Sequence, residues 1–224
     1  MRRAVSRCLE MEEERSKIEE EGGAGALRLF VAIALPDAVK DEIEKAQREM
    51  RGELRGNFMR WTKREQFHLT LKFLGNVAEA RVAELIEVLR KTCLPFQAMR
   101  LRAERVGFFP DVRFPRVAWV GVRDKKEELE RLQAAIELNL ERFAEKRTES
   151  AGPRRSQAFI GHVTLARIQG IRRQQAEILS KLAAGMAGRF FGEWTVSEVE
   201  LIRSELSPGG TRYTTLAAFP LSGA

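Results

Sequence analysis

Two short stretches hold the side chains of this sequence best suited to chemistry. His68-Leu69-Thr70-Leu71 and His162-Val163-Thr164-Leu165 share the form His-apolar-Thr-Leu. The chain has only 2 histidines, and each heads one of these tetrapeptides. In a strand, successive side chains point to opposite faces. His68 and Thr70 then share one face, with Leu69, Leu71 and Phe73 on the other. His162 and Thr164 likewise oppose Val163 and Leu165. Each motif offers an imidazole beside a hydroxyl, on a strand anchored by its apolar face. If the two halves pack symmetrically, two imidazoles and two hydroxyls converge.

That set suits in-line displacement at a phosphodiester. One neutral histidine takes a proton from the nucleophile, and one protonated histidine gives a proton to the leaving oxygen. An ordinary pKa of about 6.5 lets histidine play either part near neutrality. Threonine hydroxyls can donate to the non-bridging oxygens. The scheme needs no metal: two histidines are too few for a zinc site, and no H-E-x-x-H is present. Nor is there a G-x-S-x-G nucleophile elbow or a phosphate-binding G-x-x-x-x-G-K-[ST].

The rest of the chain must position these groups. Its 224 residues suffice for one large or two small domains. No apolar run is long enough to cross a membrane. Residues 1–26 are charge-dense, lack the apolar core of a secretory signal, and end in glycines that break any helix. They are expected to form a frayed or disordered extension without chemistry, ahead of a folded body over 27–222. Cys8 and Cys93 lie far apart and read as free thiols of a cytoplasmic protein. Net charge is +7, with an isoelectric point near 9.8. Such a balance favours a polyanionic partner such as nucleic acid.

Hydrophobic spacing gives an alternating order. Leu29 to Leu35 is a buried strand ending at Pro36, and a helix follows from Asp37 to Arg51 with Val39, Ile43, Ala46 and Met50 inward. Met59 to Thr62 is a short edge segment. Phe67 to Leu74 is the first histidine strand, and Asn76 caps a helix with Val82, Leu85, Ile86 and Leu89 inward. Strands are expected over 96–109 and 116–122. The longest helix then opens at Asp124, with Leu129, Leu132, Ile136, Leu140 and Phe143 as its stripe. A loop over 148–157 precedes the second histidine strand, 158–168, and a helix over 172–187. Two β runs, 194–206 and 213–221, close the chain around the turn Ser207-Pro208-Gly209-Gly210. Mixed order with hairpins argues for an α+β fold with antiparallel sheets.

These residues resemble a known family. Arg28-Leu29-Phe30-Val31-Ala32-Ile33-Ala34-Leu35-Pro36, Trp61, His68 to Gly75, Phe109-Pro110, Arg116 to Val122, His162 to Arg167 and Ser204-Glu205-Leu206 with Gly210 and Tyr213 are similar, in order, to the two-histidine phosphoesterases. Within them they are most like the RNA 2′,3′-cyclic phosphodiesterases, also called 2′-5′ RNA ligases. The resemblance implies a bilobal α+β fold: pseudo-twofold, duplicated antiparallel sheets backed by helices, with a central cleft. It implies metal-free hydrolysis of RNA 2′,3′-cyclic phosphate ends to 2′-phosphates without a cofactor; nothing in the sequence demands a dimer, and a monomer is expected. His162 would be the base and His68 the acid, with Thr70 and Thr164 on the phosphate. Reversible 2′-5′ ligation at the same site is one alternative, and an RNA-binding module without turnover is another. By the same resemblance Arg167 lies near the substrate, whereas strict alternation points it away from His162 unless a bulge re-aims it. Phe109 could stack on a base or fold onto the core. Arg113, Arg116, Arg154 and Arg155 could attract an RNA backbone. Two departures are expected to affect loops: Gly161 where the family often has proline, which should loosen the strand entry, and the proline-free segment Thr62 to Gln66.

Overall fold

A strand with no polar position must be paired on both edges and covered on both faces. Over residues 29–32 strand β1 (Ala26–Ala34) meets that demand, pairing antiparallel with a histidine strand on one side and a C-terminal strand on the other. The computed structural model describes residues 25–54, 56–145, 159–207 and 210–223. These residues form nine strands and four α-helices. After β1 come α1 (Asp37–Glu53), β2 (Met59–Trp61), β3 (His68–Ala78), α2 (Val82–Cys93), β4 (Met99–Phe109) and β5 (Val117–Arg123). Then follow α3 (Glu128–Asn139), β6 (His162–Ile168), α4 (Arg173–Gly185), β7 (Phe190–Val196), β8 (Glu198–Ser207) and β9 (Gly210–Pro220).

Two antiparallel sheets result. The first runs β3-β1-β8-β9, the second β2-β6-β5-β4-β7. Helices α2 and α3 pack on the first sheet, and α1 and α4 on the second. The α+β duplication expected from the sequence is therefore present: β3 beside β1 in one sheet matches β6 beside β5 in the other. The inward positions expected on α1 are buried, and all five residues of the α3 stripe are too.

Four expectations need correction. Asn76 caps no helix: β1 extends back to Ala26, so Asn76 pairs with Arg28 in the ladder and the helix starts only at Val82. Helix α3 is not the longest; it stops at Asn139 and its stripe continues in a 3-10 turn, Glu141–Phe143, whereas α1 has 17 residues. The β run 194–206 is two strands in different sheets, because the chain crosses over at Ser197. Gly161 does not loosen the entry to β6. Its carbonyl accepts from Val122 N–H at 2.8 Å, and a Cβ there would lie 2.4 Å from the Val122 oxygen. The extension over 1–24, Arg154, Arg155 and the turn residues Pro208 and Gly209 lie outside the described residues.

The two histidine strands belong to different sheets, yet β3 and β6 run against one another. The chain between them explains how. Edge strand β2 pairs with β6, so the segment leading to His68 is first tied to the strand of His162. Gln47 of α1, only 4% exposed, completes this junction. Its Nε2 donates to the carbonyls of Thr62 and Leu165, both at 2.9 Å, and Thr62 N–H donates to the same Leu165 carbonyl at 2.9 Å. Replacing Gln47 with leucine removes a donor from the half-buried Thr62 carbonyl and from the buried Leu165 carbonyl. The variant is expected to lose about 1–3 kcal/mol, read as a lower urea midpoint with an unchanged slope.

Candidate active site

Both histidines are held in the same way. His68 Nδ1 lies 2.7 Å from the Gln66 carbonyl, and His162 Nδ1 lies 2.7 Å from the Ile160 carbonyl. A carbonyl only accepts, so each Nδ1 carries the proton and donates it to the residue two places back. Each Nε2 is left as the nitrogen that can take or give a proton. The segment supplying the first carbonyl is anchored despite its lack of prolines. Arg64 pairs with Asp41 at 2.6 Å, Glu44 at 2.9 Å and Asp37 at 3.1 Å, all on α1. Gln66 Nε2 reaches the Thr211 carbonyl at 2.8 Å.

Thr70 and Thr164 share a face with their histidines, as alternation requires. His68, Thr70 and Phe73 oppose Ala34, Ala32 and Phe30 on β1, while His162, Thr164 and Arg167 oppose Gly121, Trp119 and Val117 on β5. In each ladder the register slips just after the threonine, and the β1–β3 ladder slips a second time at Leu74. Leu71 and Lys72 are consecutive buried residues on β3, as are Leu165 and Ala166 on β6. Each doublet is a β-bulge, and a bulge reverses the alternation beyond it. Phe73, expected to point away from His68, therefore turns onto the histidine face, where it is 51% exposed. Arg167 turns onto the His162 face for the same reason. Lys72 is driven inward, and its Nζ lies 2.7 Å from Glu137 Oε1 of α3.

Aromatic rings surround both imidazoles. Phe30 and Tyr213 lie 4.8 and 5.3 Å from the His68 ring, and Phe73 packs on Phe30 at 5.8 Å. Phe109 meets His162 edge-on at 5.0 Å and Trp119 at 5.1 Å. Phe109 thus lies at the end of β4 on the site face. Arg60 of β2 stands opposite Arg167 in register, and the Arg105 guanidinium lies 5.5 Å from the Trp119 ring centre. Arg113 is exposed and Arg116 half-buried on the loop before β5. The sequence reading passed over Phe30, Phe73, Trp119, Tyr213, Arg60 and Arg105 as site residues. Their common signal is cross-strand register, which no single strand displays. Among the described residues no three His, Cys, Asp or Glu side chains cluster as metal ligands. Buried Cys93 has its thiol pushed up to about 12 by desolvation, so it offers no thiolate.

Two antiparallel sheets, each contributing a His-x-Thr strand, define the fold of the two-histidine phosphoesterases. The model of the LigT-like phosphoesterase family matches residues 33–119. The RNA 2′,3′-cyclic phosphodiesterase of Archaeoglobus fulgidus is 31% identical over 193 residues, covering 86% of this chain and 99% of that protein. That of Aquifex aeolicus is 30% identical over 198 residues, 88% of this chain and 98% of the relative. A solved Thermus thermophilus structure superposes with a TM-score of 0.68 at 28% identity, over 88% of this chain and 99% of the other. Escherichia coli LigT shares the fold, with a TM-score of 0.66 at 23% identity over 88% and 99% of the two chains. The chain belongs to the RNA 2′,3′-cyclic phosphodiesterase family of LigT-like phosphoesterases.

The environment of His162 sets its protonation. Desolvation lowers its pKa below the ordinary value, and the Ile160 hydrogen bond only partly opposes this. The neutral imidazole is favoured in the fold. As pH falls from about 6.5 through the depressed pKa, the unfolded chain takes up a proton that the folded chain resists, so stability drops. In proton NMR the His162 ring is expected to titrate below about 6.5, assigned by its absence in His162→Gln. The wild type should also lose more urea stability than that variant between pH 7.5 and pH 5.5.

Proposed function

We propose that this protein hydrolyses the 2′,3′-cyclic phosphate end of RNA to a 2′-phosphate, by metal-free acid–base catalysis between His162 and His68. The observation that carries the reading is the matched pair of imidazoles, each locked with Nδ1–H on a backbone carbonyl and Nε2 directed elsewhere. The names of the relatives point the same way.

In this mechanism water attacks the phosphorus while His162 Nε2 takes its proton. The bond from phosphorus to the 3′ oxygen breaks, and His68 Nε2 delivers a proton to that oxygen. The product carries a 2′-phosphate and a free 3′-hydroxyl. The depressed pKa of His162 supports its role as base, since it is neutral where the reaction starts. Thr70 and Thr164 donate to the non-bridging oxygens, and Arg167 adds a fixed positive charge where the dianionic transition state builds up. Phe109 offers a ring for the nucleobase. Residues 27–222 form the catalytic body and residues 1–26 lie outside the chemistry. The reading places a monomer in the cytoplasm, where RNA ends arise. No helix among the described residues is long and apolar enough to cross a membrane.

His68→Ala and His162→Ala should each lower kcat/KM for a nucleoside 2′,3′-cyclic phosphate by about 100-fold or more, with melting temperatures close to wild type. Phosphorus NMR of the product should show phosphate on the 2′ oxygen, and EDTA should leave the rate unchanged. Loss of activity in chelator, restored by zinc, would sink the metal-free scheme.

A further inference from the structure

Two non-glycine residues among those described have a left-handed backbone, Arg105 and Glu127, each with a φ of 57°. Glu127 sits at the start of α3, where the chain turns into a helix. Arg105 is inside strand β4, at a bulge where the register with β5 slips between Glu104 and Val106. Glycine is the residue that adopts this backbone without strain. A strained arginine in a strand asks what its side chain does.

Its surroundings answer. The guanidinium lies 5.5 Å from the centre of the Trp119 ring, a cation–π distance. A Cβ on Gly121 would come within 3.2 Å of Arg105 Nε, so the arginine runs directly over that glycine. Gly121 is the residue opposite His162. The absence of a side chain at Gly107, where a Cβ would fall 2.2 Å from the indole, leaves room for the Trp119 ring below the arginine. Arg105 is exposed, and among the described residues it has no ion pair. The adjacent carboxylate of Glu104 is taken by Arg102 and Arg123. Stacking on an indole leaves the in-plane N–H groups of a guanidinium free to grip a phosphate from two directions.

We propose that Arg105 binds RNA, gripping the phosphate of the nucleotide next to the cyclic end. The proposal rests on the reading of the site as an RNA-end hydrolase. Strands are about 4.8 Å apart, so the β4 backbone at Arg105 stands two strand spacings from His162. Its side chain reaches back over Gly121 to the edge of the reacting centre. A cyclic phosphate held between the histidines would place the next phosphate of the chain to one side, within this reach. A nucleoside 2′,3′-cyclic phosphate has no such second phosphate and cannot use the contact.

The test compares wild type with Arg105→Gly and Arg105→Lys. Glycine relieves the backbone, so its melting temperature should equal or exceed that of wild type. For Arg105→Gly, the ratio of KM for a cyclic-phosphate-ended oligonucleotide to KM for the nucleoside cyclic phosphate should rise about 3- to 10-fold. Lysine should recover part of the loss. Fluorescence anisotropy with an oligonucleotide ending in a 2′-phosphate should show a shallower salt dependence in the glycine variant, by about 0.7 in the log–log slope, the value of one lost phosphate contact. An unchanged KM ratio with an unchanged salt slope overturns the proposal. If wild type binds the oligonucleotide but hydrolyses neither substrate, the hydrolase reading falls and the anisotropy slopes alone decide the arginine contact.

Discussion

The carbonyl oxygens of Thr62 and Leu165 are where the two halves of the site become one. The acid–base scheme proposed for the two imidazoles tolerates little error in their separation, and the imidazoles ride on different sheets. Covalent connection alone would leave that separation loose. The chain instead runs through β2 along the strand of His162, then crosses to become the strand of His68. Gln47 donates to both carbonyls from within the core. A buried amide with partners already in place cannot relax toward water, so it resists sliding of one histidine strand past the other. The turn after β2 is then clamped by Arg64 to three carboxylates of α1, the helix that carries Gln47. One helix thus fixes both the junction and the backbone that orients His68.

How far the site was legible follows from how far alternation holds. Over His68 to Thr70, and over His162 to Thr164, the period of two is intact, so the shared face of each pair could be read directly. Beyond the threonine it fails, because the leucine of each tetrapeptide is the extra residue of a bulge. Leu71 and Leu165 remain in the core, the next residue joins them, and Phe73 and Arg167 change face, until in β3 a second slip at Leu74 restores the original alternation and Val77 is buried again. Nothing in a single strand marks this. Leu-Lys and Leu-Ala doublets are compatible with ordinary strands, and only the partner's register shows two residues spanning the place of one. That is why Phe73 was misplaced and Arg167 stood undecided. The misread element boundaries share a cause: at Asn76 and at Ser197 a distant strand decided where hydrogen bonds went, against the local signal.

The same bulge in two equivalent strands also shows how the two halves of a duplicated fold come to differ. Four places after the histidine, one half has Lys72 tied to α3 and the other has Ala166. Five places after it, one has Phe73 and the other Arg167. Phe30, Tyr213 and Phe73 gather about His68, whereas the neighbourhood of His162 combines an indole, a phenyl ring and arginines. Backbone locking of the imidazoles is equal in the two halves, so the difference between them must come from these neighbours. Burial holds His162 toward its neutral form. A reaction that needs one base and one acid gains from an environment that treats its two imidazoles unequally.

Strain at Arg105 fits this division of labour. A left-handed non-glycine residue costs about 1 kcal/mol or more, and a glycine there would avoid the cost. The bulge that imposes it also separates the charges of consecutive residues. Burial alone would raise the Glu104 carboxyl, yet hydrogen bonds from Arg123 and Arg102 hold it below its ordinary range. That carboxylate stays ionised and is occupied by Arg102 and Arg123, not by Arg105. A regular strand would also put neighbouring residues on opposite faces, but it would not carry the arginine back across Gly121 toward His162. The left-handed turn does so, and it uses two small residues, Gly107 and Gly121, to make room for the indole and the guanidinium. Strain, glycine pair and arginine are therefore parts of one local arrangement, which carries a positive charge over the glycine opposite His162.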